Sequence, residues 1–277
     1  MALRPSVMFM IGCFRWWLQR KALELRKQAL ATASVETAKA DVRRRVWALL
    51  EREGAAPQDE IFDRIPSFYG AEEAAVRLAT QDEWKDARTI KTVPDKAQFP
   101  VRVRALHEGK LVYMAVPKLA KERPFFLLDP KRIEVSPEEA ASTAVANATA
   151  ETVDVESMGP VDLVVCGSVA VNRRGVRIGK GAGYSDIEIA ILQDAGLISS
   201  ATPIITTVHS LQVMEESLPE AEHDFRVDLI ITPSEIIRCD PVRRPAGIIW
   251  EELTAERIAA IPALRRRSTS SDGRSDE

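Results

Sequence analysis

The chain has 277 residues, 45% of them hydrophobic, which is enough apolar material for one large or two small packed domains. Its 38 Lys and Arg nearly cancel its 41 Asp and Glu, and the net charge of -3 excludes a chain that binds nucleic acid through its overall charge. Cys13, Cys166 and Cys239 are scattered, with neither metal-ligand spacing nor a disulfide framework, and suit a reducing compartment.

Residues 1–36 form a basic extension. Its apolar run, residues 7–14, is too short to span a bilayer, and within the first 35 residues Arg15, Arg20, Lys21, Arg26 and Lys27 follow against the single acid Glu24. The segment reads as a targeting presequence, as an extra helix ahead of the domain, or as a stretch upstream of the start codon in use. Residues 37–53 predict a helix with Val42, Val46, Leu49 and Leu50 on one face and Gly54 past its end. Lys39 and Arg43 are four apart and share a face, which by itself reads as a solvated edge. Residues 61–70 read as a loop and 72–80 as a short helix. Clean alternation at 101–106 predicts a half-buried strand, followed by a turn at 107–110 and strands at 111–116 and 125–128. Ser136 is the expected cap of an Ala-rich helix over 137–149.

The apolar run 161–167 reads as a buried strand in which Cys166 is a small hydrophobe. A helix is expected over 187–196, and strands over 203–208, 229–232 and 247–250. Residues from Arg265 on are rich in Ser and charge and read as disordered. Strands alternating with helices argue for a layered α/β domain with a largely parallel sheet. With no repeat and no linker, residues 37–262 read as one domain between the extension and a disordered tail at 263–277.

Between the 161–167 strand and the 187–196 helix lies Arg177-Ile178-Gly179-Lys180-Gly181-Ala182-Gly183-Tyr184-Ser185-Asp186. Strand, glycine-rich loop and helix together are the layout of an anion site. Glycines let backbone N–H groups turn toward a phosphate, and the following helix offers unpaired N–H groups in its first turn. Arg177 and Lys180 add charge, and Asp186 is placed to hold magnesium through water or phosphate. The alternative is a tight strand-to-helix connection. The loop fits neither a Walker A loop, because Gly181 follows Lys180 where Ser or Thr belongs, nor the dinucleotide fingerprint, because Tyr184 stands where Gly is needed.

The stretch resembles the signature of 5-formyltetrahydrofolate cyclo-ligases, roughly Arg-Leu-Gly-x-Gly-x-Gly-Tyr-Tyr-Asp. Residues 161–186 are most similar to the branch known as methenyltetrahydrofolate synthetase domain-containing proteins, and the resemblance extends from about Thr37 to Glu251. It implies a single three-layer, Rossmann-like α/β/α domain. Lys39 and Arg43 match the family's Lys-x-x-x-Arg, which contacts ATP phosphates, and Asp224 matches an Asp that helps bind magnesium. Gln212 falls where the family has a Gln near the site. His209 and His223 carry no expected catalytic role. One departure concerns the folate half. The family's Gly-Glu-x-x-Thr segment corresponds to about residues 89–96, which hold no Glu, and the motif's second Tyr and following Arg are Ser185 and Ile187.

The resemblance implies an ATP- and Mg2+-dependent enzyme that forms 5,10-methenyltetrahydrofolate from 5-formyltetrahydrofolate. Arg177 and Lys180 act at the transferring phosphate; Lys39, Arg43, Gly179, Gly181, Gly183 and Tyr184 bind ATP; and Asp186 and Asp224 hold the metal. The expected partners are ATP and a folate-like small molecule, with no membrane, no nucleic acid and a monomeric chain. The expected location is the cytoplasm, with the mitochondrion as the alternative raised by the basic extension. The competing readings are an ATP-binding homologue acting on another small molecule, which the missing Glu favours, and a non-catalytic nucleotide- or RNA-binding module. An RNA-recognition motif of the kind some members carry is absent from this sequence.

Overall fold

A computed structural model describes the backbone of residues 5–240, 244–245 and 247–272, and the side chains of these apart from 5–19, 22–30 and 270–272. The basic extension and the first predicted helix are one element, α1 (Pro5–Arg52). The chain then runs α2 (Ala71–Leu78), α3 (Asp82–Asp86), β1 (Thr89–Thr92), α4 (Phe99–His107), β2 (Leu111–Ala115), β3 (Phe125–Leu128), α5 (Pro137–Ala141), α6 (Thr143–Thr149) and β4 (Glu151–Val153). The second half adds β5 (Leu163–Cys166), β6 (Ala170–Asn172), β7 (Arg177–Ile178), α7 (Tyr184–Asp194), β8 (Ile204–Thr207), β9 (Val213–Met214), β10 (Leu229–Ile231), β11 (Ile236–Arg238), α8 (Ala255–Ala260) and α9 (Pro262–Asp272).

Eight strands make one sheet in the order β11-β10-β8-β5-β1-β2-β3-β4. The five central strands, β10 to β2, pair in parallel; β11, β3 and β4 are antiparallel additions at the edges. Both faces of the central strands are covered, so β5 and β10 are apolar throughout, while β1 and β8 also bury Lys91 and several Thr. Leu163, Val165, Val112, Met114, Leu229 and Ile231 enter the core under α1, α2, α4 and α5. Their alternates Val164, Cys166, Tyr113 and Ile230 enter the core under α7 and α9. The result is the expected three-layer α/β/α arrangement with a largely parallel sheet. A small sheet, β7-β6-β9, carries the start of the glycine stretch.

Four expectations fail locally. Residues 101–106 are not a strand but the body of α4, which has Pro100 in its first turn. The Val-Arg alternation misleads because Arg102 faces inward, 2% exposed, and donates to the carbonyls of Ala141 (2.9 Å), Val93 (2.7 Å) and Asp95 (2.9 Å). The Ala-rich helix is two helices, broken where Ser142 leaves helical geometry at φ -70°, ψ 130°; Ser136 does cap the first, in a reciprocal capping box with Glu139. Residues 247–250 form no strand: they bend into a short 3-10 turn, Trp250–Glu252, and pack over a cavity. The tail expected to be disordered is helical through Asp272, because Ile261, Ala263 and Leu264 are buried in the second core and Arg265 and Arg267 pair with Glu122 and Glu156. Residues 1–4 of the extension and 273–277 of the tail lie outside the described residues.

Candidate functional site

The glycine stretch leaves β7 and turns into α7 outside the carboxyl end of β1, where Lys180 Nζ meets Asp95 Oδ1 at 3.1 Å. Sites in open parallel sheets form at such strand ends. Gly181 (φ 96°) and Gly183 (φ 64°) take left-handed backbone conformations that other residues rarely adopt. Both are also crowded. A Cβ on Gly181 would stand 3.1 Å from Arg43 Nη1, and one on Gly183 would stand 3.3 Å from Arg257 Nη2.

Beside this loop is a cavity of about 360 Å3, within the range of small-molecule sites. Eight of the ten residues expected at the site line it: Lys39, Arg43, Arg177, Gly179, Gly181, Gly183, Asp186 and Asp224. Residues 185 positions apart in sequence thus meet. Lys39 is 3% exposed, and its ammonium lies 3.0 Å from Glu36 Oε1, 2.8 Å from Asp224 Oδ1 and 2.6 Å from Asp224 Oδ2. Asp224 Oδ2 also accepts from the Ala221 N–H at 2.6 Å. Arg43 Nε donates to the Gly179 carbonyl at 2.8 Å, tying α1 to the loop.

Arg177 is 4% exposed. Its Nη2 donates to Asp186 Oδ1 at 2.6 Å, and its guanidinium lies 3.9 Å from the centre of the Phe225 ring. Burial works against its charge, but Asp186 and other negative neighbours more than offset that and raise its pKa. Its buried Nε has no hydrogen-bond partner among the described residues.

Lys180 and Tyr184 do not line the cavity. The Lys180 side chain is 38% exposed and turned to Asp95, and the Tyr184 ring lies under the Arg257 guanidinium at 4.5 Å. Gln212 is fully buried and structural: its amide nitrogen donates to the carbonyls of Ser168 (2.9 Å) and Val169 (3.1 Å). His209 caps the turn that follows it, with Nδ1 accepting from the Leu211 N–H at 3.2 Å. The sequence reading missed Glu36, Glu252 and Arg257, which also line the cavity. Glu36 was legible as a partner three residues before Lys39; Glu252 and Arg257 come from a segment with no motif to announce them.

Asp186 and Asp224 offer hard oxygen donors of the kind magnesium takes. Among the described residues no group of three or more His, Cys, Asp or Glu could by itself hold a metal. Asp186 is paired with Arg177 and Asp224 with Lys39, so an ion held there would share these carboxylates with the two cations. Among the described residues no helix is long and apolar enough to cross a membrane.

Comparison with known proteins bears on this geometry. Residues 35–233 match the 5-formyltetrahydrofolate cyclo-ligase family. The chain is similar to methenyltetrahydrofolate synthase domain-containing proteins, at 37% identity over 234 residues for that of Bos taurus and 34% over 238 residues for that of Homo sapiens. The matches cover 82% and 84% of this chain but only 61% and 62% of those relatives. The NMR structure of Aquifex aeolicus 5,10-methenyltetrahydrofolate synthetase is similar at a TM-score of 0.49 and 20% identity, over 75% of this chain and 96% of that one.

Proposed function

The chain belongs to the 5-formyltetrahydrofolate cyclo-ligase family, and from that premise we propose that it uses ATP to convert 5-formyltetrahydrofolate to 5,10-methenyltetrahydrofolate. The formyl oxygen attacks the γ-phosphorus and ADP leaves. The folate N10 then attacks the activated carbon and loses its proton, and phosphate departs with the former formyl oxygen. The protein's task is to place the γ-phosphate in line and neutralise its charge.

The observation that carries this reading is the cavity walled by the glycine loop, Lys39, Arg43 and Arg177. Arg43 and the glycine amides hold the phosphate chain, and Lys39 adds charge beside Asp224. Lys180 exchanges Asp95 for the transferring phosphate. A magnesium ion would be held by Asp186 and Asp224 and would supply charge neutralisation to the phosphates.

A second reading, an ATP-dependent enzyme acting on another small molecule, is favoured by the 89–96 segment. In place of a Glu it offers β1, whose Lys91 is fully buried against Glu188 of α7. Release of ADP that depends on added 5-formyltetrahydrofolate supports the first reading. ATP bound but not turned over with that folate excludes it and favours the second.

A further inference from the structure

Residues 247–257 lie beyond the match at 35–233, yet they form one wall of the cavity. The wall is fixed to the site at two points. Glu252 contacts His223 Nδ1, the neighbour of Asp224, and Arg257 Nη2 donates to the carbonyl of Ala182 in the glycine loop. Ile248 and Leu253 pack against the second core, so the segment is anchored beneath as well.

Arg257 holds a particular place. Its guanidinium lies 4.5 Å above the Tyr184 ring and beside Gly183, while the Arg43 guanidinium lies beside Gly181 and bonds the Gly179 carbonyl. Two arginines from distant parts of the sequence therefore cover successive parts of one loop, each so close to a glycine that a Cβ there would make it shift by a few tenths of an ångström. A guanidinium has five N–H donors in a planar fork. Among the described hydrogen bonds Arg257 uses its side chain for one, to Ala182, while lining the cavity.

We propose that Arg257 is a substrate-binding residue: with Arg43 it clamps the polyphosphate chain of a nucleotide on the glycine loop, and the 247–257 segment is the strap that delivers it. The clamp rests on the reading of this cavity as a polyphosphate site. The stack on Tyr184 pre-positions the guanidinium, so little side-chain freedom is lost on binding.

The test is equilibrium binding of ATP and of tripolyphosphate to the full chain and to Arg257→Ala and Arg257→Met, with melting of the unliganded proteins alongside. Met keeps a stem over Tyr184 and removes the charge. Both variants are expected to bind both probes about ten- to a hundredfold more weakly, with Arg257→Met melting as the wild type does. Wild-type affinities in both variants would overturn the clamp and leave the ATP reading standing. Tripolyphosphate bound in an Arg257-dependent way with no binding of ATP would keep the clamp and overturn the nucleotide reading. No binding of either probe to the wild type would overturn both. Affinity and melting lost together in Arg257→Met would make Arg257 a structural latch and also overturn the clamp.

Discussion

Lys39 and Asp224 form a buried pair whose strength depends on both partners staying. Their side chains are 4% and 10% exposed, at 2.6 Å. Removing Lys39 leaves the Asp224 carboxylate with the Ala221 N–H but no ammonium, and removing Asp224 leaves Lys39 with Glu36 alone; each loss costs up to about 3–5 kcal/mol, whereas removing both costs less than the sum. Urea midpoints should therefore show Lys39→Ala and Asp224→Ala each strongly destabilised and the double variant milder than additivity predicts. Equal, additive losses would mean that the pair is not coupled. Gly181→Ala acts differently. Its φ of 96° costs a side-chain-bearing residue about 1–2 kcal/mol, and the new methyl displaces Arg43 from 3.1 Å. Its loss of ATP affinity should exceed tenfold, beyond what its small change in melting explains; unchanged affinity would show that Arg43 is not needed where it lies.

At the scale of elements, the second part of α1, the glycine loop and the body of α7 were legible, because periodicity and glycine spacing are local signals, although α7 begins at Tyr184, three residues before the expected start. The central strand β1 was not, since its Lys91 reads as surface although it is buried against Glu188. Burial raises the Glu188 carboxyl and the Lys91 ammonium works against it. The helix α4 was misread for a related reason: a buried Arg, pushed down to about 10 by desolvation, sits where alternation expects an outward face. In both, partners outside the element itself, Glu188 for Lys91 and the carbonyls of Val93, Asp95 and Ala141 for Arg102, override the local pattern. The strap at 247–257 was unreadable because its apolar residues cover a cavity instead of pairing. The turn capped by His209 yields a pH prediction. Burial lowers the His209 pKa from its ordinary 6.5, so the unfolded chain takes a proton that the folded chain refuses. This contribution to stability is full above that ordinary value and falls as the pH drops through it. Melting temperature should decline between pH 7 and 5, and His209→Asn, which keeps a cap acceptor, should flatten the slope. An equal slope in the variant would assign the decline to other groups.

Over the whole molecule, the cavity joins parts that only the complete fold brings together: the far end of α1, the loop before α7, the Asp224 loop and the chain beyond β11. A ligand there that binds only the folded state stabilises all of it by mass action. At a hundred times its Kd the gain is about 2.7 kcal/mol, or a rise of roughly 5–10 °C for a chain of this size. ATP with magnesium should produce that rise and ATP with a chelator a smaller one; equal shifts would argue that Asp186 and Asp224 hold no metal.

The most direct measurement mixes the protein with ATP, magnesium and 5-formyltetrahydrofolate and follows the near-ultraviolet absorbance of the methenyl product, with Lys180→Ala and Asp186→Ala in parallel. The expected result is a rise that requires ATP and falls well over tenfold in each variant, on the order of 2–4 kcal/mol of lost charge stabilisation. No rise with wild type that binds ATP, or a rise that survives both substitutions, would contradict the assignment.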